Sequence, residues 1–319
     1  MPAYIARRLL AMVPILFGLS ILVFILCRIA PGNIAQIKAG PNGTPEQIAM
    51  YEHMYGLDKP MPAQYLTWLR DASHLDFGTS LLRDRPINDE IASRLPVTLQ
   101  ILIMTLGVST LIGLTIGIVS AMNRGRLIDS VLRGVSILGM SVPTFWVATL
   151  VILLPSIYWS YAPPFSHVGF FQNPWDNMRE YGPPALILGF ASGCGLGRIV
   201  RGSILGVVGQ DFMRTARAKG LSEVAVVRRH ALGNVMLPII TILGMEALGL
   251  LAGAVIVEQV FNLNGLGRFT LESALSRDYT AIQAMALIIG AAVMLMFLLR
   301  DLTYAWLDPR VRLTGESHG

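Results

Sequence analysis

The sequence predicts an all-α membrane protein with six transmembrane helices and a small extracytoplasmic segment after the first. Three observations carry that prediction. The 319 residues are 53% hydrophobic and only 14% charged, where soluble domains run near ~25% charged. The apolar residues fall in uncharged runs close to the ~20 residues that a helix needs to cross a bilayer. A soluble α/β protein also has apolar strands, but those are only about 4–8 residues long. Third, the basic residues gather on alternate connections between the runs.

The spans follow from the gaps between charges. Leu9 to Cys27 is 19 uncharged residues between Arg8 and Arg28. Leu95 to Asn123 carries no charge, nor does Gly134 to Trp175, whose membrane part is expected to end near Tyr161. Tyr181 to Gly197 is shorter, rich in Gly and Pro, and closed by Arg198. Ala231 to Val257 holds one charge, Glu246, and Ala281 to Leu299 holds none. Six spans place both termini on one side.

Lys and Arg in short loops mark the cytoplasmic side. With the N-terminus inside, segments 1–8, 124–133, 198–230 and 300–319 hold 15 basic residues, against 3 in the short outer loops 162–182 and 258–280. The chain therefore reads as a multi-pass protein of a bacterial cytoplasmic (inner) membrane with both termini in the cytoplasm. Arg7 and Arg8 precede the first span as they would a signal peptide. Its apolar core exceeds the ~7–15 residues of a cleavable signal, so it is read as a retained helix. Cys27 and Cys194 fall at opposite faces of the bilayer, which argues against a disulfide.

The expected organisation is a first transmembrane helix over 1–30, an extracytoplasmic segment over 31–95, a five-helix core over 96–308 and a cytoplasmic tail over 309–319. The outer segment has turn signals ("APGN", "GPNGTPE", "LDKPMP") and two amphipathic stretches, Glu46–Tyr55 and Ala63–Ala72. It is too small for a large core of its own and should pack on the membrane helices. Gly113/Gly117, Gly189/Gly193/Gly197, Gly202/Gly206 and Gly249/Gly253 recur at four-residue spacing, which permits close helix approach in lipid. They fit either tight packing or a seam where helices slide. Pro143 should kink the third span. Glu246 is a carboxylate at bilayer depth; such groups face a bundle interior or a wet cavity. It is either neutral or paired with a neighbouring helix, or a pathway residue touching a cation.

One cytoplasmic stretch stands apart. "RTARAKGLSEVAVVRRHALGNVMLP" (214–238) carries Arg214, Arg217, Lys219, Arg228 and Arg229 against one acid, Glu223. Asp211 to Lys219 can form a short helix, with Gly220 as its left-handed end. Ser222 can cap a second, whose last turn holds Arg228, Arg229 and His230. Gly233-Asn234 is expected to break it, and Pro238 to restart the chain in the next span. Such a basic helix–elbow–helix, over about 211–230, suits anionic lipid headgroups or a docking partner equally well.

The residues themselves resemble a known element. "RTARAKGL…RHALGNVMLP" is similar to the coupling (EAA) loop of ATP-binding-cassette importer permeases. Here Arg214 stands for the usual Glu and Thr215 for the first Ala, and the Gly220-to-Pro238 spacing is long. That version resembles the dipeptide/oligopeptide/nickel branch. "ARRLL", "APGN", "YGLDKPMPAQYLTWL", "LDFGTSLLRDRPINDEIASRLPVTL", "VEQVFNLNGLGRF…SRDY" and "DLTYAWLDPRVR" are similar to that branch's B-type subunit, so the likeness covers nearly the whole chain. Asn33 and Ile34 replace the family's Asp-Pro, and Asn264 a Pro, which affects local turns.

The resemblance implies a type I importer permease fold and a role without catalysis. Arg214, Thr215, Ala216, Arg217, Lys219, Gly220 and Leu221 would form the ATPase-coupling loop. It further implies a homologous second permease, one or two cytoplasmic ABC ATPase subunits that bind ATP and Mg, and an extracytoplasmic substrate-binding protein. No cofactor or metal is expected in this chain, nor any nucleic acid. The sequence has no G-x-x-x-x-G-K-[ST] phosphate loop and no G-x-S-x-G, and its five His lack metal-ligand spacing. A secondary transporter would usually show internal repeats, and none is found. Di- and oligopeptides are the favoured substrates; nickel chelates, glutathione, opines and oligosaccharides stay open.

Overall fold

A computed structural model describes residues 2–30, 34–81, 83–160, 169–208, 210 and 232–307. Among them the chain is almost entirely helical: α1 (Pro2–Ile29), α2 (Ile34–Ala39), α3 (Pro45–Met54), α4 (Met61–Ser73), α5 (Ile87–Met122), α6 (Leu127–Ser141), α7 (Thr144–Trp159), α8 (Pro174–Val208), α9 (Leu232–Val260), α10 (Leu266–Leu275) and α11 (Tyr279–Leu307). The sole β-type pairing in these residues is an isolated bridge between Thr79 and Pro86.

Among the described residues, four helices are long and apolar enough to cross a membrane: Ile5–Ile29, Ile87–Met122, Pro174–Val208 and Tyr279–Thr303. Two bent pairs, Leu127–Ser141 with Thr144–Trp159 and Pro238–Leu250 with Ala254–Val260, bring the number to six where each pair is one span. Four to six candidate spans thus stand where six were expected, with three corrections to their shape. Pro143 does more than kink its span. Val142 and Pro143 are both extended (ψ 124° and 127°), α6 stops, and α7 leaves at 87°. The fourth span is longer than its uncharged run, because α8 carries Asp176, Arg179 and Glu180 at one end and Arg198 and Arg201 at the other. Gly233-Asn234 does not interrupt the chain. Helix α9 begins at Leu232 and runs through both residues and through Pro238.

Two compact units organise the chain. The first comprises Met1–Thr98 and Asn264–Leu298. Here α3 starts in a capping box: Gln47 N donates to Thr44 Oγ1 (3.3 Å), and Thr44 N to Gln47 Oε1 (3.1 Å), satisfying two donors that a helix start leaves free. α4 lays Tyr65 and Trp68 against Phe24 of α1, at ring separations of 5.3 and 5.9 Å. Tyr65 also hydrogen-bonds Ser20 (2.8 Å). Ile34 and Leu81 share a core with Val23, Cys27 and Tyr279, so the residues after α1 do pack on membrane helices. A second core gathers Ile87, Phe269, Ala281, Ala284 and Met285.

The second unit comprises Leu99–Leu263 and Leu299–Gly319. Its centre is the α5–α8 contact, where the glycine spacing takes physical form. A Cβ added at Gly113 would lie 2.6 Å from Leu196, at Gly117 2.6 Å from Val200, at Gly189 2.6 Å from Val108, and at Gly193 2.9 Å from Ile112. Ordinary carbon contacts are about 3.5–4.0 Å, so only glycine lets these backbones meet. Gly202, Gly206 and Gly249 have the same spacing but nothing within 4 Å. They meet no neighbouring helix among the described residues, and the side chain position of Gly253 lies outside those residues. Cys27 and Cys194 are both buried free thiols.

Candidate functional site

The coupling-loop residues Arg214, Thr215, Ala216, Arg217, Lys219, Gly220 and Leu221 lie outside the described residues. What the structure does describe is the framework from which that loop leaves. Asp129, in the first turn of α6, is buried (2% side-chain exposure) and fully engaged. Arg201, near the end of α8, donates to it through Nε (2.8 Å) and a terminal nitrogen (2.9 Å). Ser120 Oγ donates from the end of α5 (2.5 Å), and Gly125 N from the intervening turn (3.1 Å). Gly125 holds φ +79°, a left-handed conformation suited to glycine. Arg133 Nε approaches at 3.6 Å from the exposed side. A bidentate guanidinium–carboxylate pair is both strong and directional. It fastens the ends of α5 and α8 and the start of α6 at one point, seven residues before α8 ends.

Sequence reasoning missed this cluster. Asp129 is the one acid among Arg124, Arg126 and Arg133, which is the signal that could have found it; its partner is 72 residues away.

Glu246, the pathway candidate, is half-buried on α9 and accepts a hydrogen bond from Ser109 Oγ of α5 (2.8 Å). The partner on the neighbouring helix is thus a hydroxyl. The same hydrogen bond is available to a neutral or an ionised carboxyl group.

In the first unit a charged cluster surrounds Phe269. Arg83 and Arg94 stack on its ring with guanidinium carbons 5.4 and 4.8 Å from the centroid, a favourable cation–π geometry. Arg94 Nε donates to buried Glu90 (2.8 Å), while Arg83 bridges Glu90 (3.3 Å) and Glu272. Arg268 Nε also donates to Glu272 (2.7 Å). Partial burial pushes the Glu272 carboxyl up, but the hydrogen bonds from Arg268 and Arg83 outweigh it and hold the carboxyl below its ordinary range. Nearby, Ser80 Oγ donates to Asp278 (2.5 Å). Among the described residues, no group of His, Cys, Asp or Glu is arranged to hold a metal.

Comparison with known proteins decides the family. Residues 113–313 match the model of the "Binding-protein-dependent transport system inner membrane component", and residues 1–102 match its N-terminal companion. The chain belongs to this family. This permease is 35% identical, over 98% of its length and 99% of the relative's, to a protein of Brucella abortus (strain 2308) named for a peptide transport system permease. It is 37% identical to the glutathione transport system permease GsiC of Escherichia coli (strain K12), over 97% and 98% of the two chains. Both relatives fall in the dipeptide/oligopeptide/nickel branch that the motifs resemble. The inward-facing MetNI methionine ABC transporter matches 66% of this permease and 93% of its own chain, with TM-score 0.53 and 15% identity. The fold is thus the type I ABC importer permease fold.

Proposed function

We propose that this permease forms half of the translocation pathway of an ATP-driven importer for di- and oligopeptides. Its full-length likeness to relatives named for peptide and glutathione transport carries that reading. Glutathione is itself a tripeptide, so the two names share one substrate chemistry. A homologous second permease completes the pathway, an extracytoplasmic binding protein delivers substrate, and one or two cytoplasmic ABC ATPase subunits bind and hydrolyse ATP with Mg. This chain supplies no catalytic group.

In this reading the chain spans the bacterial inner membrane six times with both termini cytoplasmic. Residues 1–30 hold the first span, 31–95 the extracytoplasmic segment, 96–308 the core and 309–319 the tail. The loop at about 211–230 docks on an ATPase through Arg214, Arg217 and Lys219, beside Thr215, Ala216 and Leu221, with Gly220 as its elbow. ATP drives alternating access only if it binds one conformation of the assembly more tightly than the other. A loop fixed to the end of α8 is suited to pass that preference on, because Arg201 ties α8 to α5 and α6.

The test is uptake into proteoliposomes holding this permease, its second permease and ATPases, with binding protein outside. Labelled di- and tripeptides should enter only with ATP inside. Nickel chelates, opines and oligosaccharides are the competing substrate classes in the same assay, with glutathione run as a separate peptide substrate. Peptide uptake that continues without ATPase subunits would refute the importer reading. ATP-dependent uptake of another class alone would refute the peptide assignment. Cysteines at Asn123 and Ser222 should be labelled only from the cytoplasm, and one at Asn42 only from outside.

A further inference from the structure

The first unit contains a cavity of about 300 Å³ whose walls include Arg28, Lys59, Gln64, Trp68, Asp71 and Gln283. Arg28 ends the apolar run of α1, and Gln283 lies in the second turn of α11. Both helices cross the bilayer, so the cavity opens where two span ends meet the headgroup layer. Its polar groups are unusual. Gln283 is only 4% exposed, and its Nε2 has no partner among the described residues. Arg28 stacks on Phe24 at 5.0 Å while its buried Nε is likewise unpartnered. On the opposite wall, Gln64 Nε2 donates to Leu57 O (3.0 Å) and Lys59 O (2.8 Å). That fixes the amide and leaves its buried Oε1 as an acceptor without a donor.

A buried polar group without a partner is costly, and three around one cavity point to an occupant. Its chemistry follows from theirs. Two N–H donors, with the cations of Arg28 and Lys59 against the single carboxylate of Asp71, call for an anion of one charge. The free acceptors, Gln64 Oε1 and Asp71, call for N–H or O–H donors on the same molecule. Water can satisfy hydrogen bonds but neutralises no charge. Trp68 adds an amphipathic ring of the kind enriched at membrane interfaces.

We propose that this cavity holds the head group of a membrane phospholipid: the phosphodiester on Arg28 and Gln283, and an ethanolamine or glycerol substituent on Gln64 and Asp71. The lipid would act as a structural wedge between α1, α4 and α11. The proposal needs only that α1 and α11 cross the bilayer, and it is independent of substrate and of the direction of transport. Failure of the uptake test would therefore leave it standing, and the reverse holds too.

The test is native mass spectrometry of the full chain with its co-purifying subunits, titrated with phospholipids of matched acyl chains. Phosphatidylethanolamine and phosphatidylglycerol should bind about tenfold or more tighter than phosphatidylcholine, whose head group offers no N–H or O–H donor. Arg28→Gln and Gln283→Leu should each weaken retention by about tenfold or more. Lys59→Gln, at the exposed rim, should weaken it by a few-fold, and tests the charge without risk to folding. Gln283→Leu carries a second readout. In an empty cavity the change removes an unsatisfied amide and raises the melting temperature; with a lipid bound, it abolishes stabilisation by added lipid. Equal binding of phosphatidylcholine, undiminished retention in the variants, or binding of inorganic phosphate or peptide in place of lipid would each overturn the proposal.

Discussion

Gly117→Ala adds one methyl group at one of the tightest points of the α5–α8 contact. The new Cβ would lie 2.6 Å from both Cβ and Cγ1 of Val200, and 2.9 Å from the carbonyl oxygen of Gly197. Carbon contacts relax at about 3.5–4.0 Å, so the shortfall is about 1 Å. One of the obstructing atoms is backbone, and a Cβ cannot rotate away, so the helices themselves must part. A radial gap of about 0.5–1 Å forfeits roughly a quarter to a half of each dispersion contact. The gap would extend to Gly113, Gly189, Gly193 and Gly197, which share the seam. Overpacking costs about 1–3 kcal/mol, and the shared seam puts Gly117→Ala near the top of that range. Gly202→Ala supplies the control, since nothing lies within 4 Å of its Cβ position. Alanine there is neutral, or favourable by up to about 1 kcal/mol through helix propensity. The two variants should thus differ by about 3 kcal/mol in unfolding by SDS from mixed micelles. Equal stabilities would refute the packing account. Normal stability of Gly117→Ala with transport lost would instead favour a seam along which the helices slide.

Four further outcomes are expected. Arg201→Leu should lower stability and yield, because Asp129 stays buried with only Ser120, Gly125 and a distant Arg133; adding Asp129→Leu should restore most of the loss, and a double variant no better than the single would refute the pairing. The folded-state depression of the Glu272 carboxyl contributes stability that is present above the unfolded value near ~4.3 and is lost as pH falls through the folded one. Acid melting curves should therefore show a decline below that value that Glu272→Gln lacks. If Glu246 is a neutral packing group, Glu246→Gln should leave uptake within a few-fold of normal, since an amide oxygen can still accept from Ser109; lost uptake at unchanged abundance and ATPase rate would make it a pathway residue. Gly220→Val, and reversal of Arg214 and Arg217 to Glu, should abolish substrate-stimulated ATP hydrolysis in nanodiscs at normal abundance, whereas normal stimulation in both would exclude a coupling role for the loop.

What could be read in advance divides by range. The helix start at Thr44 and the straight spans are local events, set by a capping box and by unbroken apolar runs. The bounds of α8 were misread because charge gaps mark where hydrocarbon begins, whereas a helix continues through the headgroup layer with Arg179 and Arg198 on it. Pro143 illustrates a different limit. Pro14, Pro96, Pro155, Pro183, Pro184 and Pro238 are carried inside helices, and only packing decides which proline ends one. Four-residue glycine spacing likewise says which residues share a face and nothing about what lies against it. Gly113 and Gly117 meet α8, while Gly202 and Gly206 meet nothing among the described residues. Asp129–Arg201 and Arg83–Glu272 join residues 72 and 189 positions apart, and no pattern within one helix could announce either pair.

The Asp129–Arg201 pair also settles how the bent pair α6–α7 must be counted. α8 crosses the bilayer from residue 174 to residue 208, and Arg201 near its far end grips Asp129 at the start of α6. The start of α6 and the end of α8 are therefore on one face, and residue 174 is on the other. The chain between 127 and 174 has to cross once, whatever the 87° break does to its path. The same reasoning fixes α9. Ile239 packs in one core with Ala121 at the end of α5 and Ile204 at the end of α8, so α9 starts on the face that α8 reached. α8 thus ends, and α9 starts, on the face where Arg201 holds Asp129, so a partner that gripped the proposed loop on that face would act on two helix ends at once.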